Sequence, residues 1–117
     1  MKVSVCNLTR DAVLGHAVEV ADTSGKRNVG LLRHERLEPG EGMWILPSES
    51  VHTFFMKFAI DLVYIDRELK VRKVCRAVRP WRVSGCLRAH SVIEFPAGTI
   101  ERSGTSPGDQ LKIEKQD

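Results

Sequence analysis

Residues 51–66 read VHTFFMKFAIDLVYID and form the longest apolar segment of this 117-residue chain. Successive side chains of a strand point to opposite faces, so the even-numbered and odd-numbered residues from 58 to 65 separate into two groups. Both groups are largely apolar, with Asp61 as the one charged member. The segment therefore predicts a strand at the centre of a sheet, entered through a loop at His52 and Thr53.

A polar connection, Asp66–Leu69, leads from this strand to a second strand-like segment, Val71–Val78. The two segments predict a hairpin in which residues 60–65 pair with residues 71–78. The valines of the second segment are not evenly spaced. A β-bulge near Arg72 and Lys73 would restore their alternation.

Short apolar segments separated by turns occur along the rest of the chain. Further strands are expected at residues 3–5, 12–20, 43–46, 90–95 and 111–113. A short helix capped by Asp22 or Thr23 is expected over residues 23–33, and one or two helical turns over residues 97–104, ending at Gly104. About seven short strands with one or two short helices predict a mainly β fold, a jelly-roll-like sandwich or a partly open barrel.

The composition is that of a globular chain, with 42% hydrophobic and 28% charged residues. A length of 117 residues predicts a single domain over 1–117. No apolar run reaches the roughly 20 residues of a membrane-spanning helix, and the first residues lack the pattern of a secretory signal, so a cytoplasmic location is expected. Cys6, Cys75 and Cys86 form no C-x-x-C pair, which disfavours a disulfide scaffold and a thiolate zinc site.

Basic residues are concentrated between Arg67 and Arg88, where eight of them accompany one acidic residue, Glu68. That segment carries a charge of +7, and the remainder carries −4 of the net +3. Such a segment is either a binding surface for a polyanion or the solvated face of a hairpin. Only one aromatic residue, Trp81, lies within it, whereas proteins that bind single strands usually combine several aromatic side chains with the charges.

The order of several short motifs resembles a known family. The motifs are GLL (30–32), GMWILP (42–47), HTFFMKFAIDLVYID (52–66), RPW (79–81), EFPAGT (94–99) and PGDQL (107–111). Together they resemble the prokaryotic family "domain of unknown function 192", and residues 53–57 and 96–98 are the most specific part of the match. The resemblance implies a mainly β, jelly-roll-like fold with short helices, and it assigns no activity.

Asp61 is the polar residue of greatest interest, because a carboxylate close to a core needs a partner. Lys57 is one candidate for that partner, and an arginine of the first helix, Arg27 or Arg33, is another. Alternatively, backbone N–H groups bind the carboxylate and fix the hairpin. If Lys57 and Asp61 instead form the polar pair of a pocket, aromatic side chains would surround it. The ligand-binding residues of that hypothesis are Trp44, His52, Lys57, Asp61 and Trp81, with Phe54 at the rim.

Three functions remain open from the sequence. The first is a non-enzymatic module that binds a small molecule or a protein, and the second is an enzyme that uses His52, Lys57 and Asp61. Convergence of these three residues with Glu94 in one cleft would favour the enzyme. The third is a nucleic-acid binder that uses residues 67–88. The remaining histidines show no metal-ligand spacing and no cofactor motif is present, so neither a metal nor a cofactor is expected.

Overall fold

The computed structural model describes residues 1–116, which form nine strands and two short helices. In chain order they are β1 (Lys2–Asn7), β2 (Ala12–Ala21), α1 (Ser24–Val29), β3 (Glu41–Ile45), β4 (Ser50–His52), β5 (Ile60–Ile65), β6 (Val71–Val78), β7 (Val83–Gly85), β8 (Ser91–Pro96), α2 (Thr99–Ser103) and β9 (Leu111–Lys115). The prediction of a mainly β fold is confirmed. The two additional strands are β4 and β7, whose three residues are too few to show an alternating pattern.

Seven strands form one sheet in the order β6-β5-β8-β3-β2-β1-β9, while β4 and β7 pair only with each other. The large sheet curls into a half-barrel, and its two outer strands approach each other at one end. There Lys70 forms a β-bridge with Gln110, and the Val71 N–H donates to the Asp109 carbonyl oxygen at 2.9 Å. The architecture corresponds to the partly open barrel, and the jelly-roll alternative is not confirmed.

Strand β5 is buried along its whole length, as its apolar residues on both faces predicted. Alternation divides its side chains between two cores. Val63 and Ile65 belong to the first core, where residues from both halves of the curled sheet meet. Leu62 and Tyr64 belong to the second core, which the segments between strands and the small β4–β7 sheet cover. The Tyr64 hydroxyl donates to Ser84 Oγ at 3.0 Å and so attaches β7 to the large sheet.

The predicted hairpin of β5 and β6 is present and contains two bulges. In the first, Ile65 pairs with Val71 and Tyr64 pairs with Lys73, which leaves Arg72 as the extra residue, as predicted. The second bulge lies where Ile60 pairs with Val78 and Leu62 with Cys75. Ala77 lies within this second bulge and has a positive φ of 48°.

Both helices are short. Helix α1 begins after Thr23, whose hydroxyl accepts from the Lys26 N–H at 3.2 Å, and ends at Gly30, so it is shorter than the predicted 23–33. Gly30 adopts a φ of 49°, which favours glycine and stops the helix. Helix α2 ends, as predicted, at Gly104 with a φ of 72°. Neither these nor any other helix within residues 1–116 is long and apolar enough to cross a membrane.

Candidate functional site

Asp61 is buried, and backbone N–H groups bind both of its carboxylate oxygens. Oδ1 accepts from the Ala77 N–H at 2.8 Å, while Oδ2 accepts from Gly98 at 3.1 Å and Ile100 at 2.8 Å. The carboxylate therefore stabilises the second bulge of β6 and the first turn of α2 together. Of the alternatives left open by the sequence, the structure shows the backbone partners.

Lys57 lies away from Asp61 and pairs with Glu35, with 2.6 Å between Nζ and Oε1. Lys57, one of the candidate partners, is therefore not the partner of Asp61. The alternation of strand side chains does not reach Lys57, because β5 begins only at Ile60 and Lys57 lies in the preceding turn. Arg27 is not the partner of Asp61 either, since it donates to the Leu46 carbonyl oxygen at 3.2 Å.

Trp44 lies on the same side of the sheet as Asp61 and packs against the first core. Its indole Nε1 donates to Ser91 Oγ at 2.9 Å. His52 lies in the small sheet, which covers the opposite side. The five residues of the sequence hypothesis thus do not converge on one pocket, and whether any of them binds a ligand stays a prediction.

A cleft of about 290 Å³ opens between α1 with the chain that follows it and the β4 segment. Leu31, Ile45, Val51 and Met56 form much of its apolar lining, and Arg27, Ser50 and His52 are among its polar members. One further residue, Glu94, reaches the cleft from the large sheet. We call this cavity the Glu94 cleft.

Glu94 is the unusual group in that cleft. It lies on the central strand β8 opposite Leu62 of β5 and Met43 of β3, and it is 4% exposed. Its Oε1 has no hydrogen-bond partner in the part of the chain that the structure describes. Burial raises the pKa of the carboxyl from 4.5 to about 7, because the charged form loses hydration.

Sequence reasoning used Glu94 only as a possible companion of other residues. A signal was nevertheless present, since Glu94 is the one charged side chain in the otherwise apolar run from Val92 to Phe95. A lone acid within a buried strand needs a hydrogen-bond donor, and the strand's own sequence provides none. Asp61 sits in the same kind of context, and the difference between them, three backbone donors for Asp61, is visible only in the structure.

Beside the cleft, four rings are in continuous contact at the end of the small sheet where β4 finishes and β7 begins. The ring of His52 stacks on Phe54 with 4.9 Å between centroids, and Phe54 stacks on Trp81 at 5.7 Å. Phe55 meets Trp81 edge to face at 4.7 Å. We call these four residues the aromatic platform.

Thr53 joins the two loops that carry the platform. Its N–H donates to the Arg82 carbonyl oxygen at 2.8 Å, and its own carbonyl oxygen accepts from the Trp81 N–H at 3.0 Å. Its hydroxyl donates to the Arg79 carbonyl oxygen at 2.6 Å and accepts from the Arg82 N–H at 2.9 Å. The buried Thr53 thereby holds residues 79–82 against residues 53–55.

Replacing Thr53 with valine should lower the free energy of unfolding by about 1–3 kcal/mol, because the change removes both hydroxyl bonds at nearly constant volume. Urea denaturation at pH 7 measures the loss. Thr53→Ser is the matched control, since serine keeps the hydroxyl, and it should cost less than the valine variant. Equal losses for the two variants would show that the methyl group of Thr53, and not its hydroxyl, holds the loops.

Some basic side chains between residues 67 and 88 bind other groups of the protein, and others are exposed. Arg72 donates to Asp66 at 2.8 Å, and Lys73 Nζ donates to the Gly85 carbonyl oxygen at 2.7 Å. Arg79 and Arg82 are exposed and form no salt bridge with any residue from 1 to 116. Within the same range, no group of three His, Cys, Asp or Glu side chains is arranged to hold a metal ion.

Comparison with known proteins places the chain in a family. The model of the family described as "Uncharacterized ACR", DUF192, matches residues 6–113. A UPF0127 protein of Thermococcus sibiricus is 35% identical over an aligned length of 123 residues, and the alignment covers 95% of this chain and 75% of that protein. One from Pyrococcus horikoshii is 34% identical over 102 residues, covering 81% and 85%.

Two solved structures have the same fold. A protein of unknown function from Novosphingobium aromaticivorans superposes with a TM-score of 0.81 at 21% identity, covering 96% of this chain and 84% of that one. A protein from Sinorhizobium meliloti gives a TM-score of 0.81 at 22% identity, with coverage of 96% and 92%. The family match over most of the chain confirms the resemblance seen in the motifs: the protein belongs to the DUF192 family.

Proposed function

We propose that this protein binds a small organic ligand in the Glu94 cleft. The observation that carries the proposal is Glu94, which lines the cleft and whose buried Oε1 has no hydrogen-bond partner among the described residues. Leaving a buried acceptor unpaired costs about 1–3 kcal/mol. A ligand that donates a hydrogen bond to this oxygen recovers that free energy on binding.

The lining of the cleft indicates what kind of ligand fits. Leu31, Val51 and Met56 offer apolar contacts, and Arg27, Ser50 and His52 add polar ones beside Glu94. Small-molecule sites commonly combine apolar contacts with polar groups that orient the ligand. The volume of about 290 Å³ is suited to a compact molecule. The ligand therefore combines a small apolar body with a donor group, an amine or a hydroxyl, that meets Glu94.

The same cleft supports a second candidate, an enzyme in which Glu94 is the general acid or base. A carboxyl whose pKa is about 7 can both hold and release a proton near neutral pH. His52 lines the same cleft, whereas Lys57 and Asp61 are engaged elsewhere. The binding function requires only the unpaired acceptor and the cavity, so it is the leading proposal.

Three probes that share a benzyl body test the binding proposal: benzylamine, benzyl alcohol and phenylacetate. At pH 8 we expect benzylamine and benzyl alcohol, but not phenylacetate, to shift the backbone amide signals of Leu31, Met56 and Glu94 in two-dimensional NMR spectra. The Glu94 carboxylate repels the third probe and accepts a hydrogen bond from the other two.

Glu94→Gln should abolish the preference for benzylamine over phenylacetate, while Glu19→Gln, an exposed change on β2, should leave it intact. If phenylacetate binds more tightly than benzylamine to the unmodified protein, then Arg27 and not Glu94 selects the ligand, and the proposal is wrong. It is also wrong if none of the three probes shifts a cleft amide at millimolar concentration.

A further inference from the structure

The fold assembles an aromatic surface inside the basic part of the chain, a combination that the sequence alone does not show. Within residues 67–88 only Trp81 is aromatic, but Phe54 and Phe55 come from a loop about 25 residues earlier; Phe54 stacks on Trp81 and Phe55 meets it edge to face. We propose that the aromatic platform, together with Arg79 and Arg82, binds single-stranded nucleic acid. This site borders the Glu94 cleft through His52, and its proposed ligand differs from that of the cleft.

The rings of the platform are accessible to a partner. Phe55 is 69% exposed and Trp81 is 57% exposed, although both are large apolar side chains. Phe54 and Trp81 are inclined to each other by only 29°, which extends one stacked array across the surface. An unpaired base offers a flat face of the same kind, and stacking on aromatic side chains is the usual means of holding single strands.

The platform is held in place before any partner arrives. Phe55 and Trp81 have positive φ values of 66° and 68°, a backbone conformation that costs free energy for a residue with a side chain. The four bonds of Thr53 fix the loops in which they lie. Exposed rings on a fixed and strained backbone are typical of binding surfaces, because the loops then lose little conformational entropy when the partner binds.

The charges beside the rings suit a phosphate backbone. Arg79 and Arg82 flank Trp81 in the chain and are exposed, and the guanidinium of Arg82 lies 3.4 Å from the Trp81 carbonyl oxygen. Neither arginine is neutralised by a salt bridge to a residue that the structure describes. Guanidinium groups bind phosphates directly and stack on bases, so rings and charges act on the same strand.

The stacked geometry favours nucleic acid over an anionic membrane. A membrane surface selects apolar side chains that protrude and basic residues around them, without a requirement that the rings be stacked on one another. Here every ring of the platform contacts another at centroid distances from 4.7 to 5.7 Å. The binding test nevertheless includes vesicles, because both partners are polyanions.

Fluorescence anisotropy with a fluorescein-labelled dT12 oligonucleotide tests the proposal. Glycine accepts a positive φ at no steric cost. Phe55→Gly and Trp81→Gly therefore remove the rings and also relieve the backbone strain at these two positions. Trp81→Gly should weaken binding at least about fivefold, the lower limit for the loss of one stacked base. Its dependence on salt should stay that of the unmodified protein, because both arginines are still present to bind phosphates.

The double variant Arg79→Gln/Arg82→Gln should change both the affinity and its dependence on salt. It should weaken binding and also reduce the slope of log affinity against log salt by about 1.4, or ~0.7 for each phosphate that is no longer neutralised. Two controls should bind as the unmodified protein does. They are Leu87→Ala, an apolar side chain that is 90% exposed outside the platform, and Lys2→Gln/Lys115→Gln, which removes the same charge from β1 and β9.

Three results would overturn the proposal. The first is no dT12 binding in 50 mM salt, with or without binding to vesicles that contain phosphatidylserine. The second is affinity that does not fall between 50 and 200 mM salt. The third is equal affinity for dT12 and for a 12-unit abasic backbone, which carries the phosphates without the bases. Circular dichroism confirms that each variant is folded, and Glu94→Gln should bind dT12 normally, which keeps this site separable from the cleft.

Discussion

Replacing Asp61 with asparagine should lower the free energy of unfolding by about 3 kcal/mol. Asparagine has the same shape but keeps only one acceptor oxygen, so its NH₂ group faces at least one of the N–H groups of Ala77, Gly98 and Ile100. Each hydrogen bond to a charged group contributes about 1.5–3 kcal/mol, and the remaining bonds lose their charge. Urea denaturation at pH 7 measures the change.

Asp22→Asn is the matched control for this experiment, since Asp22 is exposed and should tolerate the same substitution within about 0.5 kcal/mol. Hydrogen exchange adds a local readout. In Asp61→Asn the amides of Ala77 and Ile100 should exchange faster than in the unmodified protein, because they lose a charged acceptor. An Asp61 variant as stable as the Asp22 control would mean that water replaces the carboxylate at little cost.

Glu94 should make the protein less stable as the pH rises from about 4.5 to about 7. Burial raises the pKa of Glu94 to about 7 in the folded protein, while the unfolded chain keeps the ordinary value. Between these values the unfolded chain has released the proton and the folded protein still holds it. Stability contributed by protonated Glu94 is thus complete below pH 4.5 and lost above pH 7, in total about 3 kcal/mol at 1.36 kcal/mol per pH unit.

Glu94→Gln removes this titration and keeps the shape of the side chain. Relative to the unmodified protein, the variant should gain about 3 kcal/mol between pH 4.5 and pH 8, measured as the difference in unfolding free energy at each pH. Asp66 and Asp109 have lowered pKa values and titrate with the opposite sign, but they are present in both proteins and cancel in the difference. Glu19→Gln should show no comparable dependence, and a flat difference for Glu94→Gln would mean that the carboxyl ionises freely.

The central strand and its hairpin could be predicted because their signals are local. Apolar residues on both faces of residues 58–65 indicated burial, and the uneven valines after them indicated a bulge at Arg72, which the register confirms. The second bulge at Ala77 could not be predicted. It depends on a carboxylate that is distant in sequence, and nothing in the neighbouring residues indicates a positive φ there.

The candidate sites were less predictable for the same reason. Both β4 and β7 have three residues and depend on each other for pairing, so neither has a pattern of its own. The aromatic platform exists only when these strands bring residues 52–55 to Trp81. Similarly, the segments that form the Glu94 cleft show no sequence pattern that indicates a site. Only their arrangement leaves a carboxyl without a donor.

The pairing of β9 with β1 has a consequence for how the protein is made. Asn7 donates to Asp109 at 2.9 Å and pairs with Leu111, so residues about 100 positions apart complete the first core. Long-range pairings of this kind slow folding, because a large loop must close before they form. During synthesis the half-barrel cannot close until residue 115 has left the ribosome. Until then β1 presents an unpaired edge, and an unpaired edge strand can pair with another chain and aggregate.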